Sequence, residues 1–349
     1  MKNQIHGGDI YSRNIRLDFS ANINPFGMPE GVKHAAIEGV EQSIHYPDVF
    51  CDRLKTAITE MENVSKEWII CGNGAAELLF SLVLVKKPKK ALLAVPGFQE
   101  YEQALKTASC EISYYQMTKE HGFALQDEYL TMLTDELDMA FLCSPNNPTG
   151  LLIDPQLLEQ IIVTCEQKKI FLVLDECFLE FVGEELQNSG KSYLRDMKNL
   201  FLLKAFTKMY GMPGLRLGYG LCSDSVLLRK MEEAVQPWNV SQPAQMAGIA
   251  ACKEQAFAAK TRAYILSERM FMKEELEKLG FYVYPSKANY LFFEAPVDLY
   301  ERCLEEQILI RDCSNYHGLE KGYYRIAVKS HEENLELLQI LKRKYSNEV

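Results

Sequence analysis

Between residues 68 and 222, short unbroken apolar runs alternate with stretches whose apolar residues recur at helical spacing. The runs Trp68–Cys71, Ala91–Val95, Met139–Cys143 and Phe171–Leu174 end in turn-forming residues, and Asn199–Phe206 and Gly218–Cys222 add further strand candidates. Helices are predicted over Ala75–Lys86, Gln99–Ala108, Asp154–Lys168 and Ser223–Glu233. Strands that are apolar at every position are buried on both faces, and strands that alternate with helices build a mainly parallel sheet covered on both sides. The expectation is an α/β large domain over about residues 33–240.

After Pro237 the pattern changes. A helical region from Pro243 to about Gly280 leads into strands at Tyr282–Pro285 and Asn289–Phe293. A helix near Leu299–Glu306, strands at Ile308–Arg311 and Tyr324–Val328, and a closing helix from His331 follow. This order predicts a smaller α+β domain over residues 241–349. Residues 1–32, rich in Asn, Pro and Gly, read as an arm that joins it.

Composition narrows the class. With 349 residues, 47% apolar and 25% charged, the chain can bury two cores and has the make-up of a soluble globular protein. A formal charge of −10 gives no general attraction to nucleic acid or anionic membrane, so an anionic substrate requires local arginines. The longest apolar stretch, near Leu78–Val85, is far short of the roughly 20 residues that span a bilayer, and the first residues carry no signal-like apolar core. Ten cysteines without a Cys-x-x-Cys pair read as reduced thiols in a cytoplasmic protein, and the six histidines show no metal-ligand spacing. Neither a metal, a nucleic acid nor a membrane is an expected partner.

Open α/β sheets place ligands at the carboxyl ends of their strands, and four segments fall there. Cys71-Gly72-Asn73-Gly74-Ala75-Ala76 is a small-residue turn before a helix, where backbone N–H groups and the helix dipole favour an anion; alone it reads equally as a tight turn. Ser144-Pro145-Asn146-Asn147-Pro148-Thr149-Gly150 puts an asparagine amide at a strand end. Asp175 closes a fully apolar strand, where a carboxylate needs a cation or a donor. The most specific segment runs from Lys204 to Tyr219: Lys208 follows a strand, and Arg216 comes eight residues later in a Pro/Gly turn. That separation suits a lysine holding an aldehyde and an arginine holding a phosphate of one small ring.

Together these segments resemble the aldehyde-lysine, Asp-pyridinium, Asn-Pro-x-Gly and phosphate-turn motifs of the class I/II aminotransferases, over nearly the whole chain. The resemblance implies the fold-type I transferase architecture and pyridoxal 5′-phosphate (PLP) as cofactor. It implies that Lys208 forms the Schiff base and then acts as acid and base, and that Asp175 keeps the pyridine nitrogen protonated. Asn147 would bond the ring's O3′, and Phe98 would stack on the ring. Gly74, the Ala75 and Ala76 N–H groups, Thr207 and Arg216 would hold the phosphate. Tyr46, in His45-Tyr46-Pro47, resembles the tyrosine that reaches a neighbouring subunit's cofactor, which implies a homodimer with shared sites. Two positions depart from the pattern: Phe178 stands where most relatives have Tyr, and Ala205 where many have a phosphate-binding Ser.

The wording of the arm, His6-Gly7-Gly8 and Asp18-Phe19-Ser20-Ala21-Asn22-Ile23-Asn24, resembles the threonine-phosphate decarboxylases of cobalamin biosynthesis. So does Ile308–Tyr316. Histidinol-phosphate aminotransferases are the alternative branch. Either implies a phosphorylated amino acid or amine as substrate, with Arg325 binding a carboxylate and Arg311, Asn24 and His6 as further substrate contacts. The cofactor stabilises whichever α-carbon bond lies perpendicular to its ring, so these residues serve decarboxylation or transamination alike.

Overall fold

The structure is a computed structural model in which residues 7–183 and 188–345 are described. Its strands are β1 (Leu17–Asp18), β2 (Ile69–Gly72), β3 (Lys90–Val95), β4 (Glu111–Gln116), β5 (Met139–Cys143), β6 (Phe171–Asp175), β7 (Leu200–Ala205) and β8 (Gly218–Leu221). They continue with β9 (Tyr282–Val283), β10 (Tyr290–Glu294), β11 (Ile308–Leu309), β12 (Arg311–Asp312) and β13 (Tyr323–Ala327).

Seven strands form one sheet in the order β2-β8-β7-β6-β5-β3-β4. All run parallel except β8, which is antiparallel to both its neighbours. Every residue of β5, β6 and β7 is buried, as their largely apolar sequences favour. The polar exceptions are Asp175, which ends β6, and Lys204 of β7, which ion-pairs with Glu62 and Glu176. The helices that cover the sheet are set by local chemistry. In Pro155–Lys168, Asp154 caps the N–H groups of Gln156 and Leu157, Pro155 starts the first turn, and Leu157, Leu158, Ile161, Ile162 and Cys165 form the buried stripe.

The C-terminal strands form an antiparallel sheet in the order β12-β13-β10-β9. β1, from the segment read as an arm, pairs in parallel with β11. Helix Gln242–Ala251 packs against Glu30–Glu41 and Asp52–Glu62.

Helices Glu30–Glu41 and Asp52–Glu62 were not expected, the first crossing the boundary drawn after residue 32, and other details also differ from the sequence reading. Phe206 opens a short helical turn, Phe206–Met209, instead of ending a strand. The single helical region after Pro243 is two helices, Gln242–Ala251 and Gln255–Lys278. The expected strand Ile308–Arg311 is divided, since β11 pairs with β1 while β12 pairs with β13. β4 was not expected: at the sheet edge its residues are exposed in alternation, so Glu111-Ile112-Ser113-Tyr114-Tyr115-Gln116 carries no apolar run.

Candidate active site

β2, β5, β6 and β7 run in one direction, so the turns after their carboxyl ends meet along one edge of the sheet. A cavity of about 310 Å³ opens there, lined by Asp175, Asn147, Lys208 and Thr207, with Ala75, Ala76 and Phe98 along its wall. Arg216, Arg311, Arg325 and Phe178 also line it.

The position of Lys208 follows from the turn after β7. Its backbone oxygen accepts from Asn24 N at 3.1 Å, and its amine lies 5.9 Å from the centre of the Phe178 ring. Burial lowers the proton affinity of this amine, and the nearby guanidinium groups of Arg325 and Arg216 lower it further, whereas Asp175 opposes the change. The amine is therefore a better nucleophile near neutrality than an exposed lysine. Asp175, 5% exposed, is pushed the other way: burial raises its carboxyl, while donors from Cys177 and Tyr101 pull it down. Tyr101 Oη donates to Asp175 Oδ2 at 2.6 Å and Cys177 N to Oδ1 at 2.9 Å.

The turn between β2 and helix Ala75–Lys86 is built by close approach. Gly74 has φ +81°, a conformation L side chains rarely adopt, and a Cβ there would lie 2.5 Å from Arg216 Nη2. Gly218 of β8 sits equally tightly, with the Ala75 nitrogen 2.4 Å from where a Cβ would be. Glu77 secures the turn by accepting from Asn73 N at 2.7 Å and Asn239 Nδ2 at 2.6 Å.

On the opposite wall, buried Arg325 donates from Nη2 to the Ser20 carbonyl at 2.8 Å and from Nη1 to Asn147 Oδ1. Buried Arg311 donates to Asn315 Oδ1 and to the Asp312 carbonyl, both at 2.9 Å, and its guanidinium lies 5.0 Å from the Tyr316 ring centre. Two buried side-chain atoms here lack a partner: Arg325 Nε and Asn22 Oδ1. A cavity with this shape and these donors fits a phosphorylated pyridine aldehyde: an amine, a buried acid, an amide, and an arginine packed on a glycine turn that no side chain can fill.

A model of the family described as "Aminotransferase class I and II" matches residues 14–341. The chain belongs to this family. Its members are PLP enzymes. The threonine-phosphate decarboxylase of Salmonella typhimurium is 39% identical over 352 residues, covering 97% of this chain and 96% of that one. The histidinol-phosphate aminotransferase of Methanosphaera stadtmanae is 29% identical, covering 95% and 91%. In three dimensions, the histidinol-phosphate aminotransferase of Clostridium acetobutylicum superposes with a TM-score of 0.89 at 30% identity, covering 95% of this chain and all of that one. No helix among the described residues is long and apolar enough to cross a membrane.

Against the aminotransferase expectations, the structure brings together Lys208, Asp175, Asn147, Ala75, Ala76, Phe98, Phe178, Thr207, Arg216, Arg311 and Arg325. Gly74 is not in the lining but lies against Arg216. Besides Gly74, two of the expected residues among those described, Asn24 and Tyr46, do not line the cavity. Asn24 is buried beneath it, with Nδ2 committed to Met209 O at 2.7 Å and Thr261 Oγ1 at 2.8 Å, so it braces the turn that carries Lys208. Tyr46 is exposed and stacks on Trp238 of the same chain at 4.6 Å. His6 lies outside the described residues. The sequence reading gave no role to Tyr101, Tyr316, Asn22, Ser20 or Cys177, which also contact or line the site. Asn22 shares its motif with Asn24, and only tertiary packing separates the one that faces the cavity from the one that does not.

Proposed function

We propose that this chain is a PLP-dependent decarboxylase of L-threonine O-3-phosphate, yielding (R)-1-amino-2-propanol phosphate and CO₂. The observation that carries this reading is the pair of buried guanidinium groups, Arg311 and Arg325, facing one cavity in addition to Arg216. A buried arginine needs an anion or acceptors, and a planar fork suits carboxylate and phosphate alike. With Arg216 given to the cofactor's phosphate, two such forks match a substrate that carries both a carboxylate and a phosphate. The 39% identity to the Salmonella typhimurium decarboxylase over nearly the full length agrees.

In this reading Lys208 holds the cofactor's aldehyde through its amine, Asp175 pairs with the ring nitrogen, and Asn147 Nδ2 bonds the phenolic oxygen. Phe98 lies on the ring face. Arg216, Thr207 and the Ala75 and Ala76 N–H groups receive the phosphate at the start of helix Ala75–Lys86. When bound, the cofactor supplies an electron sink for the bond broken at the substrate's α carbon. Arg325 and Arg311 hold the two anionic ends and so fix which α-carbon bond is presented. Once the substrate's amine has displaced it from the aldehyde, the freed Lys208 Nζ, in its ammonium form, would give the proton that replaces CO₂ at that carbon, and the proton affinity lowered by burial would make it the better acid.

A homodimer accompanies the reading. Ile37, Val40 and Ile44 recur at helical spacing and are exposed, and Tyr46, Phe50 and Trp238 add exposed aromatic surface. Such an apolar face suits a second copy, into whose site Tyr46 would reach. A cytoplasmic location suits the ten free cysteines.

A second reading, histidinol-phosphate aminotransferase, is favoured by the TM-score of 0.89 with the Clostridium acetobutylicum enzyme. Purified protein loaded with PLP is given L-threonine O-3-phosphate in one reaction, and histidinol phosphate with 2-oxoglutarate in another. CO₂ release in the first is the expected result. Glutamate formation in the second, without CO₂ in the first, replaces the decarboxylase by the aminotransferase.

A further inference from the structure

Tyr101 lies in the first turn of helix Gln99–Thr107 and is 4% exposed. Its ring is fixed by two others. Phe98 meets it edge-on with centroids 5.5 Å apart, and Phe141 of β5 lies nearly parallel to it, at 25° and 5.3 Å. Held this way, the hydroxyl donates to Asp175 Oδ2 at 2.6 Å, while Cys177 N donates to Oδ1. Each carboxylate oxygen thus has its own donor, and the carboxylate cannot rotate without breaking a hydrogen bond. Tyr101 stays the donor in this pair, since burial and the neighbouring Asp175 charge hold its phenol well above the ordinary tyrosine range.

We propose that Tyr101 is a positioning residue that keeps Asp175 ionised and correctly turned, so that Asp175 sustains a protonated ring nitrogen in the bound cofactor. The inference rests on the reading of Asp175 as the partner of that nitrogen. Burial drives a carboxyl toward its neutral form, and hydrogen bonds to the ionised form oppose this. Deleting the hydroxyl leaves one oxygen of a buried carboxylate without its protein donor, which costs more than the bond itself was worth. The neutral acid then gains ground and competes with the ring nitrogen for the proton. The same ring touches Phe98, so the residue on the cofactor's face and the residue at its nitrogen are placed by one side chain.

The test uses holoenzyme reconstituted with PLP labelled with nitrogen-15 at the ring. Tyr101→Phe keeps the ring contacts and removes only the hydroxyl. Tyr101→Met removes it with a more adaptable side chain and serves if the Phe variant does not fold. Phe141→Leu loosens the packing but keeps the hydroxyl. The nitrogen-15 chemical shift near neutral pH reports ring protonation, and equilibrium dialysis reports cofactor affinity. Either Tyr101 variant is expected to move the shift toward the unprotonated value and to weaken cofactor binding about tenfold, whereas Phe141→Leu leaves the shift in place. An unmoved shift in the Tyr101 variants, or an equal movement in Phe141→Leu, makes Tyr101 a packing residue and overturns the proposal. If the unaltered protein takes up no PLP at all, the cofactor reading itself fails, and this inference falls with it.

Discussion

Arg325 Nη1 donates to Asn147 Oδ1, and Tyr316 Oη donates to the same oxygen at 3.2 Å. With its oxygen so engaged, Asn147 is left its amide nitrogen for the cofactor. The arginine assigned to the substrate carboxylate and the asparagine assigned to the cofactor are therefore parts of one hydrogen-bonded unit. A change in the first is felt by the second.

Arg325→Lys replaces a planar fork by a point charge that cannot bond Asn147 and a carboxylate together. The expected result is a KM for L-threonine O-3-phosphate raised by about tenfold or more, together with a displaced visible absorbance band of the cofactor. Steady-state kinetics and a spectrum of the resting enzyme check both. An unchanged KM contradicts the carboxylate assignment.

Gly74→Ala is a conservative change outside the cavity lining, yet it places a methyl group 2.5 Å from Arg216 Nη2 at a residue with φ +81°. The guanidinium must move, and a charge-assisted hydrogen bond to the phosphate is lost or lengthened. Cofactor affinity, measured by dialysis, should fall about tenfold or more, with little change in KM once the enzyme is saturated with PLP. Full affinity in this variant would remove Arg216 from the phosphate site.

Phe178 is buried and meets Tyr290 edge-on, with centroids 5.1 Å apart. Phe178→Tyr introduces the hydroxyl that the aminotransferase resemblance leads one to expect here, and under the proposed cofactor placement would add a donor to the phenolic oxygen. A donor favours the ionised oxygen, so the pH at which the visible band titrates should move downward. A spectrophotometric pH titration of both proteins checks the sign. An upward movement contradicts the placement.

Burial lowers the proton affinity of Lys208 in the folded chain, whereas an unfolded lysine keeps its ordinary value. Between the lowered folded value and the ordinary one, the unfolded state binds more protons, so this group's contribution to stability rises with pH across that window. Below it, folding must bury a charged amine. Lys208→Met removes that cost. The apoprotein of this variant should melt about 2 °C or more above unaltered apoprotein at neutral pH, with the gap closing as pH rises. A lower melting temperature at neutral pH contradicts the burial argument.

The parts of the site legible in the sequence are those that local chemistry marks. Asp175 ends an apolar strand, Lys208 and Arg216 follow one, and Asn147 lies in a Pro/Gly turn; each is set by its own segment. Tyr101 bonds a residue 74 positions away, and Tyr316 one 169 positions away, so no local pattern announces either. The same holds for β4, whose place at an edge lets it carry polar residues, and for the chain's change of sheet between Leu309 and Arg311. Asn24 misled because its motif marks the neighbourhood of the site without saying which asparagine faces inward.

Reduction with borohydride, followed by proteolysis and mass spectrometry of the protein loaded with PLP, probes the covalent attachment on which the other assignments depend. The cofactor should be found on the peptide carrying Lys208, and Lys208→Met should carry none. Attachment to another lysine, or no attachment in a protein that has bound PLP, would contradict the account.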